Sequence, residues 1–557
     1  MNSSGACTRR CTRRTNSDLK NWKFGWTGSH CCPYRRAMRN RISISLAAFF
    51  CLAGLALGQS TTNNTSSCSA NGVPTAACNG VGVMPLFTDP SNVGVQTSTV
   101  DPLPTNVSTQ SVKTSLYAGA TTRVMAEVQP WFCNTSSPCN AHLNIGMEMS
   151  NSAQALAQAQ WMKTIGADVM DIDYYGCSTS CGQGSGQAYN LSVTTALANA
   201  ISANPSTTPK FLIMIDEGAI WATGTGQCPP ASGDQSACLI AAINLQNDYL
   251  AQTWLYQSYY ETNATNGHPI VMFFINPGFW PDTNFNTVYG GVASHATLGN
   301  SCGGGCTYTA TVDFVSLDAG AFSTTGIAGG FAWPQPNIYS ISNQLCYAGN
   351  PCSFNYLADF YSHARANLSK IAIGVLYKGF DDNNAAFDGG DDRVIAQQCG
   401  QTLNLTAGAI STAGYSSSSQ LQYVQLATWN DYEEGTEVET GVDNCISIGQ
   451  PIISGGTLSW SLVKSDATYA ATSTISSFSI YTGTSSPVTL FASGISATST
   501  SHAAPTPSPG QNVWVYMVGG PLIQNRLSAS VGNTGLPAPA AAIFAKRVLI
   551  ALDLTYA

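Results

Sequence analysis

The chain has 557 residues, only 9 % of them charged against roughly 25 % in an average soluble domain, and a formal net charge of −8. Beyond Arg41 there is no Lys/Arg cluster, which excludes the electrostatic footprint of a nucleic-acid partner. This length accommodates one large folded domain and a smaller one.

Residues 1–58 read as an N-terminal extension with a secretory signal. The run ISISLAAFFCLAGLAL, Ile42 to Leu57, follows Arg35, Arg36, Arg39 and Arg41 and ends in small residues suited to cleavage after Gly58. It is shorter than the roughly 20 residues that span a bilayer, so the expectation is a secreted protein, extracellular or attached to a cell wall, with no membrane association after cleavage; an uncleaved anchor is the competing reading. The first 37 residues are basic and Cys-rich and fit no fold, and Met38 is the more ordinary start for such a signal.

Nineteen cysteines divide into five before Gln59 and fourteen after it. Twelve of the fourteen are close neighbours, Cys68/Cys78, Cys133/Cys139, Cys177/Cys181, Cys228/Cys238, Cys302/Cys306 and Cys346/Cys352, leaving Cys399 with Cys445. Seven disulfides that staple loops suit an exported chain better than zinc sites, and no metal or cofactor is expected.

Residues 59–115 are rich in Ser, Thr and Asn and read as an arm or linker. From 116 to 448 the pattern becomes eight short apolar runs separated by stretches of helical composition. The runs are 124–131, 167–176, 210–218, 269–278, 309–318, 329–336, 370–380 and 421–431. Eight strands alternating with helices predict an α/β fold, a (β/α)8 TIM-type barrel; the fifth and sixth runs are the least regular. An open doubly wound sheet is the competing architecture, but no Gly-rich phosphate turn follows the first run. Residues 449–535 give short β-rich segments expected to form a small all-β sandwich, and 536–557 a C-terminal tail. Trp460, Tyr481 and Trp514 of the sandwich are either exposed rings for carbohydrate or core fillers.

Polar and aromatic residues gather where the runs end, and in a barrel those ends meet on the face that carries chemistry. They supply the candidate substrate-binding residues Trp131, His142, Asp173, Tyr174, Tyr175, Asp216, Trp333, Tyr377, Trp429 and Asn430. The last run opens onto five carboxylates in nine residues, Asp431 to Glu439. Asp431 and Glu434, three residues apart, are the candidate catalytic pair. Cleaving a glycosidic bond needs one protonated carboxyl and one ionised carboxylate, and sugar rings stack on Trp and Tyr. Nucleophile elbow, phosphate loop and HExxH motifs are missing from the sequence, which removes the serine-hydrolase, nucleotide and zinc-protease classes.

Ala427-Thr428-Trp429-Asn430-Asp431-Tyr432 resembles the signature of glycoside hydrolase family 71, the endo-α-1,3-glucanases or mutanases, and the continuation Glu434-Gly435-Thr436 is closer to family 99, the endo-α-mannosidases. Gly330-Phe331-Ala332-Trp333-Pro334 is similar to the family 71 strand ending in Ala-Trp-Pro, and Ile373 to Asp382 to a family 99-like seventh strand. Glu433 stands where the mutanases have Gly, and Asp431 where family 99 has Glu. Both families are (β/α)8 barrels, and the resemblance implies Glu434 as general acid and Asp431 as base. The expectation is an endo-acting hydrolase of an α-linked polysaccharide, α-1,3-glucan first. An α-mannanase or a non-catalytic glycan-binding surface protein is the alternative.

Overall fold

A computed structural model describes residues 107–131, 152–181, 188–221, 227–295, 298–302, 306–334, 354–382, 392–395, 398–431, 436–439, 441–467, 469–483, 489–506 and 510–532, with a short strand pair at 69–70 and 73–74. Its centre is a closed barrel of eight parallel strands in sequential order: β1 (Arg123–Val128), β2 (Val169–Tyr174), β3 (Lys210–Asp216), β4 (Ile270–Phe274), β5 (Asp313–Leu317), β6 (Gly329–Phe331), β7 (Ile371–Leu376) and β8 (Tyr423–Leu426). β8 closes on β1, with Tyr423 opposite Arg123 and Leu426 opposite Ala126. Every run picked from the sequence holds one of these strands, because each is apolar on both faces, as strands packed between a bore and a helical layer must be.

Alternation along the strands separates the two faces. Met125, Val169, Leu212, Met214, Met272 and Phe331 fill the bore, while their neighbours Val124, Ala126, Met170, Ile213 and Phe273 face the outer layer. That layer consists of α1 (Ser152–Thr164), α2 (Ala188–Ala203), α3 (Ser236–Thr253), α4 (Phe285–Ser294), α5 (Phe354–Ala366) and α6 (Gln401–Thr412). On α1 the buried face carries Ala155, Ala157, Trp161 and Met162.

Two connections depart from the strand–helix alternation. Between β5 and β6 the chain makes only a 3-10 turn at Ala319–Ser323, since so short a link cannot carry a full crossover helix. After β8 no α-helix follows among the described residues. Its place is taken by the segment from Val107, where Val112 N donates to Ile165 O behind α1 and Leu116 O accepts from Ser411 Oγ of α6. Val107 and Val442 are themselves bridged to Gln524 and Ile523 of the C-terminal domain.

That domain is all-β. One sheet is built on β9 (Ile475–Gly483) and β10 (Asn512–Gly519), which pair antiparallel, and it packs against smaller two- and three-stranded sheets through Leu458, Trp460, Phe478, Val515 and Met517. Trp460, Tyr481 and Trp514 are buried, so of the two readings of these rings the core-filling one holds.

Disulfides join Cys228 to Cys238 and Cys399 to Cys445. The first staples a loop, as expected. The second corrects the reading of all seven as loop staples: it spans 46 residues and ties the start of α6 to the entrance of the C-terminal domain. The signal segment, the C-terminal tail and the pairs Cys68/Cys78, Cys133/Cys139 and Cys346/Cys352 lie outside the described residues. Among the described residues no helix is long and apolar enough to cross a membrane.

Candidate active site at the C-terminal mouth of the barrel

Inward-facing positions near the C-terminal ends of β1 to β3 are carboxylates. Glu127 lies at the end of β1, Asp171 and Asp173 on β2, and Asp216 at the end of β3; all four are buried. The period of two that puts Val169 in the bore also puts Asp171 and Asp173 there. Asp171 sits deepest and accepts a hydrogen bond from Gln425 Nε2 of β8 at 3.1 Å. Asp173 lies above it, and the charges acting on it are Asp216, Glu127, Asp171 and Asp431.

Few buried carboxylates in such a group ionise easily. Burial first, then repulsion from those four neighbours, holds Asp173 well above the usual carboxylate range, and burial alone does the same for Asp171. Burial raises Asp216 to about 7, although the Gly218 N–H and the Tyr175 hydroxyl both donate to it and pull it down. Glu217 is raised to about 8 by burial and by Asp216, against one hydrogen bond from Asn276 N at 2.8 Å. Glu217 is missing from the sequence-based selection. Its signal is its place directly after Asp216 at a strand end.

The segment after β8 is fixed at its described ends. Trp429 N donates to Glu127 O at 2.6 Å, and Asn430 makes a reciprocal pair with the backbone of Gln129 through Oδ1 at 2.8 Å and Nδ2 at 2.9 Å. Asn430 thus stitches the end of β8 to the end of β1. Asp431 N donates to Thr428 Oγ1, and Asp431 O accepts from Thr436 N, while the hydroxyls of Thr428 and Thr436 meet at 2.9 Å. These contacts close the base of a loop and set Asp431 beside the acidic group. Lys378, just past β7, holds the returning arm of the loop through a buried ion pair with Glu437 at 2.9 Å. Glu434 and His142 lie outside the described residues.

Half-buried rings border the acids. Trp131 meets Tyr175 edge to face at 4.7 Å, and Trp333 stands over Phe274 at 4.9 Å on the opposite side of the mouth. The Trp333 backbone is fixed by Tyr356, whose hydroxyl accepts from Trp333 N and donates to Asp318.

The structure therefore brings Asp173, Tyr175, Asp216, Trp131 and Asp431 to one place, with Trp333 across the opening and Asn430 bracing it. It does not bring Tyr174, Tyr377 or Trp429 there. Tyr174 points outward into the helical layer against Trp254 at 6.2 Å, and Tyr377 is likewise fully buried in that layer. Trp429 is also fully buried, with its indole N–H on Gln158 Oε1 of α1 at 2.6 Å. Among the described residues no group of three or more His, Cys, Asp and Glu is placed to hold a metal ion.

No family model and no curated protein matches the chain. The solved structures similar to it include the GH99 endo-alpha-mannosidase of Bacteroides thetaiotaomicron in two forms. One has 13 % identity over 57 % of this chain and 86 % of that one, with a TM-score of 0.37; the other has 12 %, 57 %, 87 % and 0.38. An exo-beta-1,4-mannosidase from Opitutaceae bacterium strain TAV5 is similar at 11 % identity over 60 % of each chain, with a TM-score of 0.34. Strand order and register by themselves define the molecule as a (β/α)8 barrel with an appended all-β domain. Its mouth is lined with buried carboxylates.

Proposed function

We propose that this protein is a secreted glycoside hydrolase, endo-acting on an α-linked polysaccharide, with α-1,3-glucan the first substrate and α-mannan the second. One observation supports this most: buried carboxylates from β1, β2, β3 and the segment after β8 converge with half-buried tryptophans on the face where barrels place their chemistry. The chemistry of glycosidic cleavage needs carboxyls in two protonation states, and a site in which burial and like charge separate the carboxyls supplies them near neutral pH.

In this reading Asp431 is the base, activating water or a substrate hydroxyl, and Glu434 is the general acid at the leaving oxygen. Asp173 and Asp216 bind sugar hydroxyls, while Trp131 and Trp333 take the C–H faces of rings on either side of the cleavage point. Trp429 and Asn430 serve the site indirectly, by anchoring the segment that carries Asp431. The Cys228–Cys238 and Cys399–Cys445 disulfides take no part in the chemistry, and they are compatible with export.

The test is a screen of α-1,3-glucan, α-1,6-mannan and mixed α-glucans for new reducing ends, with product size and anomeric configuration read by NMR. Asp431→Asn and Glu434→Gln are each expected to lower turnover at least ~100-fold on the true substrate. Near-wild-type turnover in both variants rejects the assignment, and tight oligosaccharide binding without cleavage by the wild type replaces the enzyme with a glycan-binding protein.

A further inference from the structure

Past Asp216 the mouth continues onto a rim between β3 and β4. Glu217 leads into a single helical turn, Gly218–Trp221, and Asn276 into the 3-10 turn Pro277–Phe279, so Trp221 and Phe279 each stand just beyond a strand end. Their rings meet edge to face, with centroids 4.4 Å apart. Both are half-buried: each packs against the outer layer and keeps part of its surface in solvent. Trp280, next to Phe279, is by contrast fully buried.

Two sets of contacts fix this rim. Glu217 Oε2 accepts from Asn276 N at 2.8 Å and Glu217 N donates to Phe274 O at 3.0 Å, which locks the two turns together. Asn276 Oδ1 accepts from Gly278 N at 2.8 Å and so caps the turn that carries Phe279. The second set comes from the loop closed by Cys228–Cys238. Cys228 N donates to Ile220 O at 2.7 Å, beside Trp221, while Gly233 N and Gln235 N donate to Asp282 Oδ2 and Thr283 Oγ1, just past Phe279. The disulfide thus staples a buttress of the mouth. Rings held this firmly and left half in water expose apolar surface at a cost, which is recovered when a flat apolar face covers them.

Direct contacts also join the rim to the acids. A Cβ at Gly218 would fall 2.7 Å from the Tyr175 ring and 2.8 Å from Asp216 Oδ1, so the turn that carries Trp221 lies against both. Tyr175 in turn meets Trp131. Glu217 and Trp221 are four residues apart across that turn, neighbours on one face. Glu217 is half-buried and binds Asn276 through Oε2 alone; its Oε1, like the Trp221 indole N–H, has no hydrogen-bond partner among the described residues. We infer that Trp221 and Phe279 form a further sugar-binding position, taking the C–H face of one unit of the chain on the β3–β4 side of the acids, with Glu217 Oε1 and the indole N–H meeting its hydroxyls. This rests on the glycoside hydrolase reading and deepens it: the substrate is an extended glycan that reaches beyond the rings at Trp131 and Trp333, as endo-action requires.

The experiment measures binding of α-1,3-gluco- and α-1,6-manno-oligosaccharides, from disaccharide to octasaccharide, by calorimetry. Affinity for the wild type is expected to rise with chain length and then level off. Trp221→Ala is expected to lower affinity for the chains on that plateau about threefold to tenfold, the size expected of one ring contact, and to leave chains too short to reach the rim unchanged. Phe279→Leu, a milder change that decides the matter if Trp221→Ala does not fold, is expected to weaken the same long chains and spare the same short ones. A loss of equal size at every length, or no loss at any, overturns the inference, and so does a wild-type affinity that does not grow with length. Unchanged variants of a protein that binds the oligosaccharides remove this position alone. A wild type that binds none of them overturns the glycoside hydrolase reading and the position with it.

Discussion

Replacing Lys378 with Met tests how the segment after β8 is held. Lys378 and Glu437 meet at 2.9 Å with side chains only 6 % and 3 % exposed, so neither can be rehydrated where it stands. Removing one partner of a buried pair leaves the other charge uncompensated, which costs about 3–5 kcal/mol, whereas removing both with apolar or neutral groups of similar volume is close to neutral. At roughly 2 °C per kcal/mol for a domain of this size, Lys378→Met should lower the melting temperature by about 6–10 °C. The double variant Lys378→Met with Glu437→Gln should recover most of that loss. Urea unfolding of the two single variants and the double gives the coupling energy directly. A cost below about 1 kcal/mol for Lys378→Met, or a double variant less stable than either single one, refutes the argument that this pair braces the loop.

Trp429→Phe should cost stability, on the order of 1–2 kcal/mol from the lost bond to Gln158 and the smaller ring, measured by urea unfolding; a raised KM with unchanged stability would show instead that the indole contacts sugar. Asp216 and Glu217, raised to about 7 and about 8, keep protons in the folded protein that they release when unfolded. Their contribution is therefore complete below about pH 4 and is lost as pH rises through 7 and 8. Stability measured by urea unfolding should decline between about pH 5 and 8, and Asp216→Asn should flatten that decline. Cys399→Ser with Cys445→Ser opens a 46-residue link and should cost about 4 kcal/mol by chain entropy, seen as a lower denaturation midpoint under non-reducing conditions.

The barrel is legible in the sequence because each strand is a short apolar run bounded by turn residues, and eight such runs have few ways to bury both faces. The weak fifth and sixth runs are real strands, but Gly329–Phe331 is only three residues long and is preceded closely by a 3-10 turn, so neither gives the usual strand–helix signal. The site is legible in part. Asp173, Asp216 and Asp431 stand out as acids at strand ends, yet selection by strand end alone also takes in Tyr174. Strict alternation along β2 separates the two: if Met170 and Ile172 face the helices, so does Tyr174, and Asp171 and Asp173 face the bore. Trp429 offers no such clue, since it lies past the last paired residue of β8, where the alternation no longer binds.

The strand set, the chain order and the chemical character of the strand ends all depend on local pattern, and so they can be read along the chain. Which of those ends share a site, and how their charges act on each other, follows from the closed barrel instead. Gln129 and Asn430 are 301 residues apart in sequence and within hydrogen-bond distance in the barrel. Closure of β8 on β1 brings Glu127 and Asp431 to the acids of β2 and β3, and burial then removes the water that would have screened them. Proximity and desolvation are properties of the closed barrel, and no stretch of the chain carries them alone.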